Sequence, residues 1–296
     1  MRIRLWGTCG SLPSPGADTV CYGGNTSCVS VEGEAGTLLV LDAGTGIRCL
    51  GLNLADDLQR VHILLTHLHM DHLQGLPFLA PLCRRGVEIH NWGPASLGRI
   101  PGGERTFAKG SLSVFGLSLR RRLLRYLSPP LFPISVRELL SDIHFHELAT
   151  ATFQIDEFTV TSQLVIHLNP TLGLRLEEGR RSLAFIPDHE PVLSSRAFGL
   201  QPEWTSGFAL VKGADLLIHD AQYTAGEYLA RDGLGHSSME DAVRFAQLAQ
   251  VRRCLLFHHD PAHSADLLDR VFADLLAELQ PAFEASPAVE GAEIFF

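Results

Sequence analysis

The densest concentration of chemistry-bearing side chains in the sequence is Thr66-His67-Leu68-His69-Met70-Asp71-His72. Three imidazoles and one carboxylate fall within six residues there. Imidazole nitrogen and carboxylate oxygen suit Zn²⁺, which holds them at about 2.0–2.2 Å. Crowding four such groups costs desolvation that only a bound cation offsets. An apolar, strand-like run at 61–66 leads into the segment. A strand end followed by a tight loop turns closely spaced side chains toward one point. The pattern predicts a divalent metal centre.

Further ligand-type residues follow at intervals. They are His167, Asp188 in Pro187-Asp188-His189, His219-Asp220-Ala221, Gly235-His236-Ser237-Ser238 and His258-His259-Asp260. Together with the first segment they resemble the metallo-β-lactamase superfamily, whose signature is His-x-His-x-Asp-His. Gly7-Thr8-Cys9-Gly10-Ser11-Leu12-Pro13 is similar to the Gly-Thr-Gly-x-x-x-Pro opening of its ribonuclease Z and cyclic-nucleotide phosphodiesterase branch. His167 with Gly173-Leu174-Arg175-Leu176-Glu177 resembles that branch's third-motif histidine and hairpin. His219-Asp220-Ala221 resembles its His-Glu-Ala segment, and Gly235-His236-Ser237-Ser238 its Gly-His-Ser-Thr segment.

The resemblance implies an α/β fold, a four-layer αββα sandwich with the metals at one edge of the sheets. It implies two divalent ions, Zn²⁺ first and Mn²⁺ or Fe²⁺ as alternatives. His67, His69 and His167 would bind the first ion; Asp71, His72 and His258 the second; Asp188 would bridge them. Two departures stand out. Asp188 sits in Pro-Asp-His where the family has Gly-Asp-Thr, and His189 is an extra imidazole, read either as close to the site or as a surface residue. His258-His259 leaves open which imidazole ligates, with strand alternation favouring His258; Asp260 would then orient it.

Two metals about 3.5–4 Å apart generate hydroxide at neutral pH and stabilise attacking and leaving oxygens, which suits phosphodiester hydrolysis. Asp71 would orient the nucleophile. His236, just before a helix start, would protonate the leaving alkoxide, held in its tautomer by His219 or Asp220. Ribonuclease Z carries a long arm for transfer RNA between its third-motif histidine and bridging aspartate. Here His167 and Asp188 are about twenty residues apart, room for a hairpin. The formal net charge is −9, whereas proteins that grip long nucleic acids carry a positive surplus. A small cyclic nucleotide or other cyclic phosphodiester is the expected substrate, and long nucleic acid is not. Ribonuclease Z-like cleavage of RNA and lactonase- or thioesterase-type acyl hydrolysis are the alternatives on the same fold. A flavodiiron redox protein would carry a carboxylate where His69 stands.

The elements that must position these residues read as strands at 2–6, 28–32, 37–41 and 61–66, then helical spacing at 73–83. A strand at 153–160, a hairpin over 171–186, strands at 214–218 and 254–257, and helices at 238–250 and 264–279 follow. All 296 residues read as a single domain with an insertion at about 99–137, a lid or dimer contact. Its Arg120-Arg121-Arg122 run either holds phosphate or forms the solvated face of a short helix. His62, His90, His144, His146 and His263 join no motif. Six cysteines without a Cys-x-x-Cys pair are expected to be reduced and mostly packed. With no membrane-length apolar run and no signal-like start, the expected location is the cytoplasm, and the resemblance implies a homodimer.

Overall fold

The computed structural model describes residues 1–96, 116–191 and 202–296. Within them, apolar alternation builds two seven-stranded sheets. The first contains β1 (Arg2–Gly7), β2 (Cys28–Glu32), β3 (Leu38–Leu41), β4 (Arg60–Leu64), β5 (Glu88–Pro94) and β6 (Asp142–Leu148) in spatial order. The second contains β7 (Ala151–Ile155), β8 (Phe158–Val165), β9 (Thr171–Glu178), β10 (Arg181–Ile186), β11 (Leu216–Asp220), β12 (Arg253–Phe257) and β13 (Glu284–Pro287). The C-terminal β14 (Glu293–Phe295) closes the first sheet beside β1. In each sheet one half is antiparallel and the other parallel: β3 to β6 in the first, β10 to β13 in the second.

Three apolar layers hold the assembly. Leu5, Val31, Leu41, Phe158, Leu174, Phe185 and Phe257 fill the space between the sheets. Outside the second sheet lie Phe208, Phe245 and Leu268, carried by α3 (Phe208–Val211), α4 (Met239–Leu248) and α5 (Ala265–Leu279). Outside the first lie Ile47, Leu50, Leu119 and Leu123, carried by α1 (Gly46–Asn53) and α2 (Leu119–Tyr126). Helix, sheet, sheet, helix is the αββα sandwich.

Four expectations change. The 73–83 region is not an α-helix but two 3₁₀ turns, Leu76–Phe78 and Ala80–Cys83, following a third at Met70–His72. Pro77 and Pro81 lack the N–H groups a helix needs, while Leu76, Leu79 and Leu82 keep a buried spacing of three. The 153–160 strand is a hairpin, β7 and β8, turning at Asp156 with φ 47°. Of the 99–137 insertion, 99–115 lie outside the described residues; the rest includes α2, which buries Leu119 and Leu123 while Arg120, Arg121 and Arg125 face solvent. Of the six cysteines, all free, only Cys9, Cys28 and Cys254 are buried. No helix among the described residues is long and apolar enough to cross a membrane.

Candidate metal centre

The parallel strands of both sheets end at one edge, and the candidate ligands sit on the segments leaving them. His67, His69, Asp71 and His72 follow β4, Asp188 follows β10 and His258 follows β12, while His167 lies in the β8–β9 connection. Four of them, His67, His69, His167 and Asp188, bring one ligand atom each within 4.8 Å of one another; Asp71, His72 and His258 do the same beside them. Asp188 spans the two groups. Its Oδ2 lies 3.6 Å from His67 Nε2 and 3.4 Å from His167 Nε2, and its Oδ1 lies 3.0 Å from His72 Nε2 and 3.3 Å from His258 Nε2. Two ligands about 2.1 Å from one ion at the tetrahedral angle stand about 3.4 Å apart. Buried His67 Nε2 and Asp188 Oδ1 have no hydrogen-bond partner. Orphaned polar atoms at ligand spacing fit two divalent ions sharing a carboxylate.

A family model described as a beta-lactamase superfamily domain matches residues 37–259. The chain belongs to the metallo-β-lactamase superfamily. It is a metal-dependent hydrolase of that superfamily, and ribonuclease Z proteins are among its similar sequences. The ribonuclease Z of Staphylococcus haemolyticus is 25% identical over 298 residues, covering 87% of this chain and 88% of that one. The short form of human tRNase Z is similar in fold, with a TM-score of 0.65, 22% identity and coverage of 100% and 99%. So is a diphosphatase of the PhnP family, with a TM-score of 0.66, 15% identity and coverage of 100% and 97%.

As is usual for metal sites, each imidazole is fixed through its other nitrogen. His72 Nδ1 bonds Asp42 Oδ2 at 2.7 Å, and Asp42 is fully buried at the end of β3, also accepting from the Thr66 N–H and the Thr66 and Ser27 hydroxyls. His167 Nδ1 bonds the Gly235 carbonyl at 2.6 Å, and His258 Nδ1 bonds Gln222 Oε1 at 3.1 Å. His69 presents Nδ1 toward His167 and keeps Nε2 against Asn169 at 3.1 Å. Asp71 Oδ2 accepts the Ser11 N–H at 2.8 Å, which ties the Gly-Thr-Cys-Gly-Ser opening to the second group. Gly10 is required there, because a Cβ on it would come 2.5 Å from His258 Nδ1. Burial favours neutral His72, but Asp188, Asp71 and Asp42 outweigh it and raise its pKa well above the ordinary value. Burial and the neighbouring His72 hold His67 well below the ordinary value.

His236 stacks on His258 with ring centroids 5.1 Å apart. Its Nδ1 bonds Asp220 Oδ2 at 2.8 Å. Burial opposes the charged form, yet attraction to Asp220 prevails and lifts His236 to about 9. Of the two candidate holders, Asp220 is the one in contact. His219 donates from Nδ1 to the Asp220 carbonyl at 2.7 Å and bonds His189 Nδ1 through Nε2 at 2.9 Å. His189 is fully buried, which excludes a surface role.

The adjacent imidazole His259 turns away from the metal groups and bonds the Ala288 carbonyl at 2.8 Å, leaving His258 in the cluster. Asp260 does not orient His258. It accepts from Arg231 at 3.0 Å and from the Ala262 N–H at 2.9 Å, because the chain turns sharply after β12, and Gln222 takes its place. Asp42 and Gln222 belong to no motif in the sequence, and only three-dimensional packing pairs either with a histidine. His62, His90, His144 and His146 are not scattered. They stack in register across β4, β5 and β6 beside Trp92, with centroid spacings from 3.9 to 5.2 Å. His263 bonds Glu227 at 3.0 Å.

Proposed function

We propose that the chain hydrolyses a phosphodiester of a small molecule, with a cyclic nucleotide or other cyclic phosphodiester as the substrate class. The observation that carries this reading is the connection from His167 to Asp188. It is a hairpin of β9 and β10 that turns at Gly179 with φ 62°, and no arm projects from it. The net charge of −9 supports the same reading, since a long polyanion gains affinity from a basic surface.

Bound at the two groups, divalent ions would supply a nucleophilic hydroxide at neutral pH and neutralise charge on the phosphoryl oxygens. The chain's own residues do the rest. His67, His69 and His167 would hold one ion, Asp71, His72 and His258 the other, and Asp188 both. Hydrolysis joins a water oxygen to phosphorus and breaks one ester P–O bond, so the departing alkoxide needs a proton. We assign that proton to His236, whose Nδ1 is engaged by Asp220 and whose ring lies against that of His258. Asp71, fixed by the Ser11 N–H, would orient the attacking oxygen.

The ribonuclease Z relatives favour a second reading, endonucleolytic cleavage of RNA. A turnover panel separates the two: cyclic mononucleotides, linear dinucleotides, a precursor transfer RNA and a lactone, with metals quantified. A higher kcat/KM on a cyclic nucleotide than on precursor transfer RNA is expected. Efficient, site-specific trimming of the transfer RNA would overturn the small-substrate reading, and preferential lactone turnover would overturn the phosphodiester one.

A further inference from the structure

Glu190 lies two residues beyond Asp188 and is buried, at 1% exposure. Its N–H donates to the Ile166 carbonyl at 2.9 Å, joining the segment after β10 to the segment that carries His167. Its carboxylate reaches elsewhere. Oε1 accepts from the Tyr228 hydroxyl at 2.6 Å and the Gly233 N–H at 2.9 Å, and Oε2 accepts from the Gly235 N–H at 2.8 Å. A buried carboxylate is costly unless its oxygens are satisfied, and here three convergent donors satisfy them.

What those donors belong to gives the arrangement its meaning. Gly235 has φ 86°, and a Cβ on it would come 2.5 Å from His167 Nδ1. Its carbonyl is the group that accepts from His167 Nδ1, and His236 is the next residue. One residue therefore ties together the segments bearing His167, Asp188 and His236, its N–H holding the first and its carboxylate the last. We infer that Glu190 is a positioning residue, holding the Gly235 carbonyl where it orients His167 toward the first metal and holding His236 where it faces the substrate. The His236 half of this inference rests on the function proposed above; the His167 half needs only the metal assignment.

Glu190→Gln tests it. An amide accepts at one end only. With its oxygen serving Tyr228 and Gly233, its NH₂ meets the Gly235 N–H and repels it. Tyr228→Phe removes one donor from the same carboxylate and leaves the Gly235 bond in place, so it controls for a general loss of stability. Chelator competition and the visible spectrum of the Co²⁺-loaded protein report the first metal's surroundings without any substrate. Groups that orient metal ligands are worth about 10–100-fold in affinity. Glu190→Gln should therefore bind its first metal about 10–100-fold more weakly and change the Co²⁺ spectrum, while Tyr228→Phe keeps the wild-type spectrum even where its Tm falls. Glu190→Gln should also lose more rate on a cyclic nucleotide than on bis(p-nitrophenyl) phosphate. Unchanged affinity and spectrum in Glu190→Gln would overturn the inference, as would an equal effect of Tyr228→Phe. If Glu190→Gln does not fold, Glu190→Asp, which keeps the charge but is one methylene short, should show the same weakened site. If no phosphodiester is turned over, the metal measurements still decide, so the two proposals fail separately.

Discussion

Replacing Asp220 by asparagine keeps the side chain's shape and removes one buried charge. Asp220 is fully buried; its Oδ2 accepts from His236 at 2.8 Å and from the His189 N–H at 2.9 Å, and its Oδ1 accepts from the Gln222 N–H at 3.0 Å. Burial pushes His236 toward neutrality, and attraction to Asp220, then to Asp188 and Asp71, lifts it to about 9. If the variant returns His236 to the ordinary value near 6.5, the drop is about 2.5 units, on the order of 3 kcal/mol. At pH 8 the protonated fraction would fall from about nine-tenths to about 3%, roughly thirtyfold. Bound cations lower both values together, and where both lie below the assay pH the loss approaches about 300-fold.

The assay is kcat/KM from pH 5.5 to 9.5 on two substrates, with metals quantified in each preparation. A cyclic nucleotide expels a ribose alkoxide that needs a proton, whereas p-nitrophenolate leaves unaided. A general acid acts only while protonated, so activity is lost as pH rises through its pKa. Lowering that pKa in Asp220→Asn moves the alkaline limb of the profile to lower pH by about two units or more. The loss on the cyclic nucleotide should far exceed that on bis(p-nitrophenyl) phosphate. Asp220→Asn combined with His236→Ala should be no worse than His236→Ala alone, because both act through one proton. Equal losses on the two substrates, an unmoved alkaline limb or strictly additive effects would refute the reasoning.

Elemental analysis of protein purified without chelator should find close to two first-row metals per chain, and His67→Ala should lose metal together with activity; folded protein that takes up neither Zn²⁺ nor Mn²⁺ would contradict this. Asp42→Asn should weaken the second site by about 10–100-fold in chelator competition, since Asp42 orients His72, and an unchanged affinity would count against that role. His62 is lowered to about 4 by burial and by its neighbour His90, below its value near 6.5 in the unfolded chain. A depressed histidine contributes stability above about 6.5 that is lost as pH falls toward 4, so Tm should fall more steeply across that window in the wild type than in His62→Gln. Parallel curves would exclude the stack as a source of acid sensitivity.

The candidate metal ligands were legible because their spacing is local or their strand ends are apolar runs. His67, His69, Asp71 and His72 announce themselves within six residues, and His258 ends a buried strand. The helix over 73–83 failed for a physical reason: a spacing of three satisfies both α and 3₁₀ geometry, and only the prolines tell them apart. The 153–160 strand failed because period-two alternation continues across a tight turn that Asp156 makes with positive φ. The histidine stack was invisible because it depends on the register of three parallel strands, which pairs His62 with His90 and His90 with His144.

The groups that orient the ligands show where the limit lies. Asp42 precedes His72 by 30 residues, Gln222 precedes His258 by 36, and Gly235 follows His167 by 68. Asp42 and His72 follow the neighbouring parallel strands β3 and β4, Gln222 and His258 follow the neighbouring parallel strands β11 and β12, and His167 meets Gly235 from the β8–β9 connection. The one orienting residue read from adjacency, Asp260, turned out to bond Arg231 instead. A motif thus nominates the atoms that would hold the metals, while topology specifies how basic and how rigid those atoms are. Substrate choice belongs to the second kind of information. It depends on what the connections between ligands build around the metals, and between His167 and Asp188 this chain builds only a hairpin. That is why the ligand set alone suits a ribonuclease, a diphosphatase or a cyclic phosphodiesterase equally, and why the panel comparing precursor transfer RNA with a cyclic nucleotide discriminates where further inspection of the ligands does not.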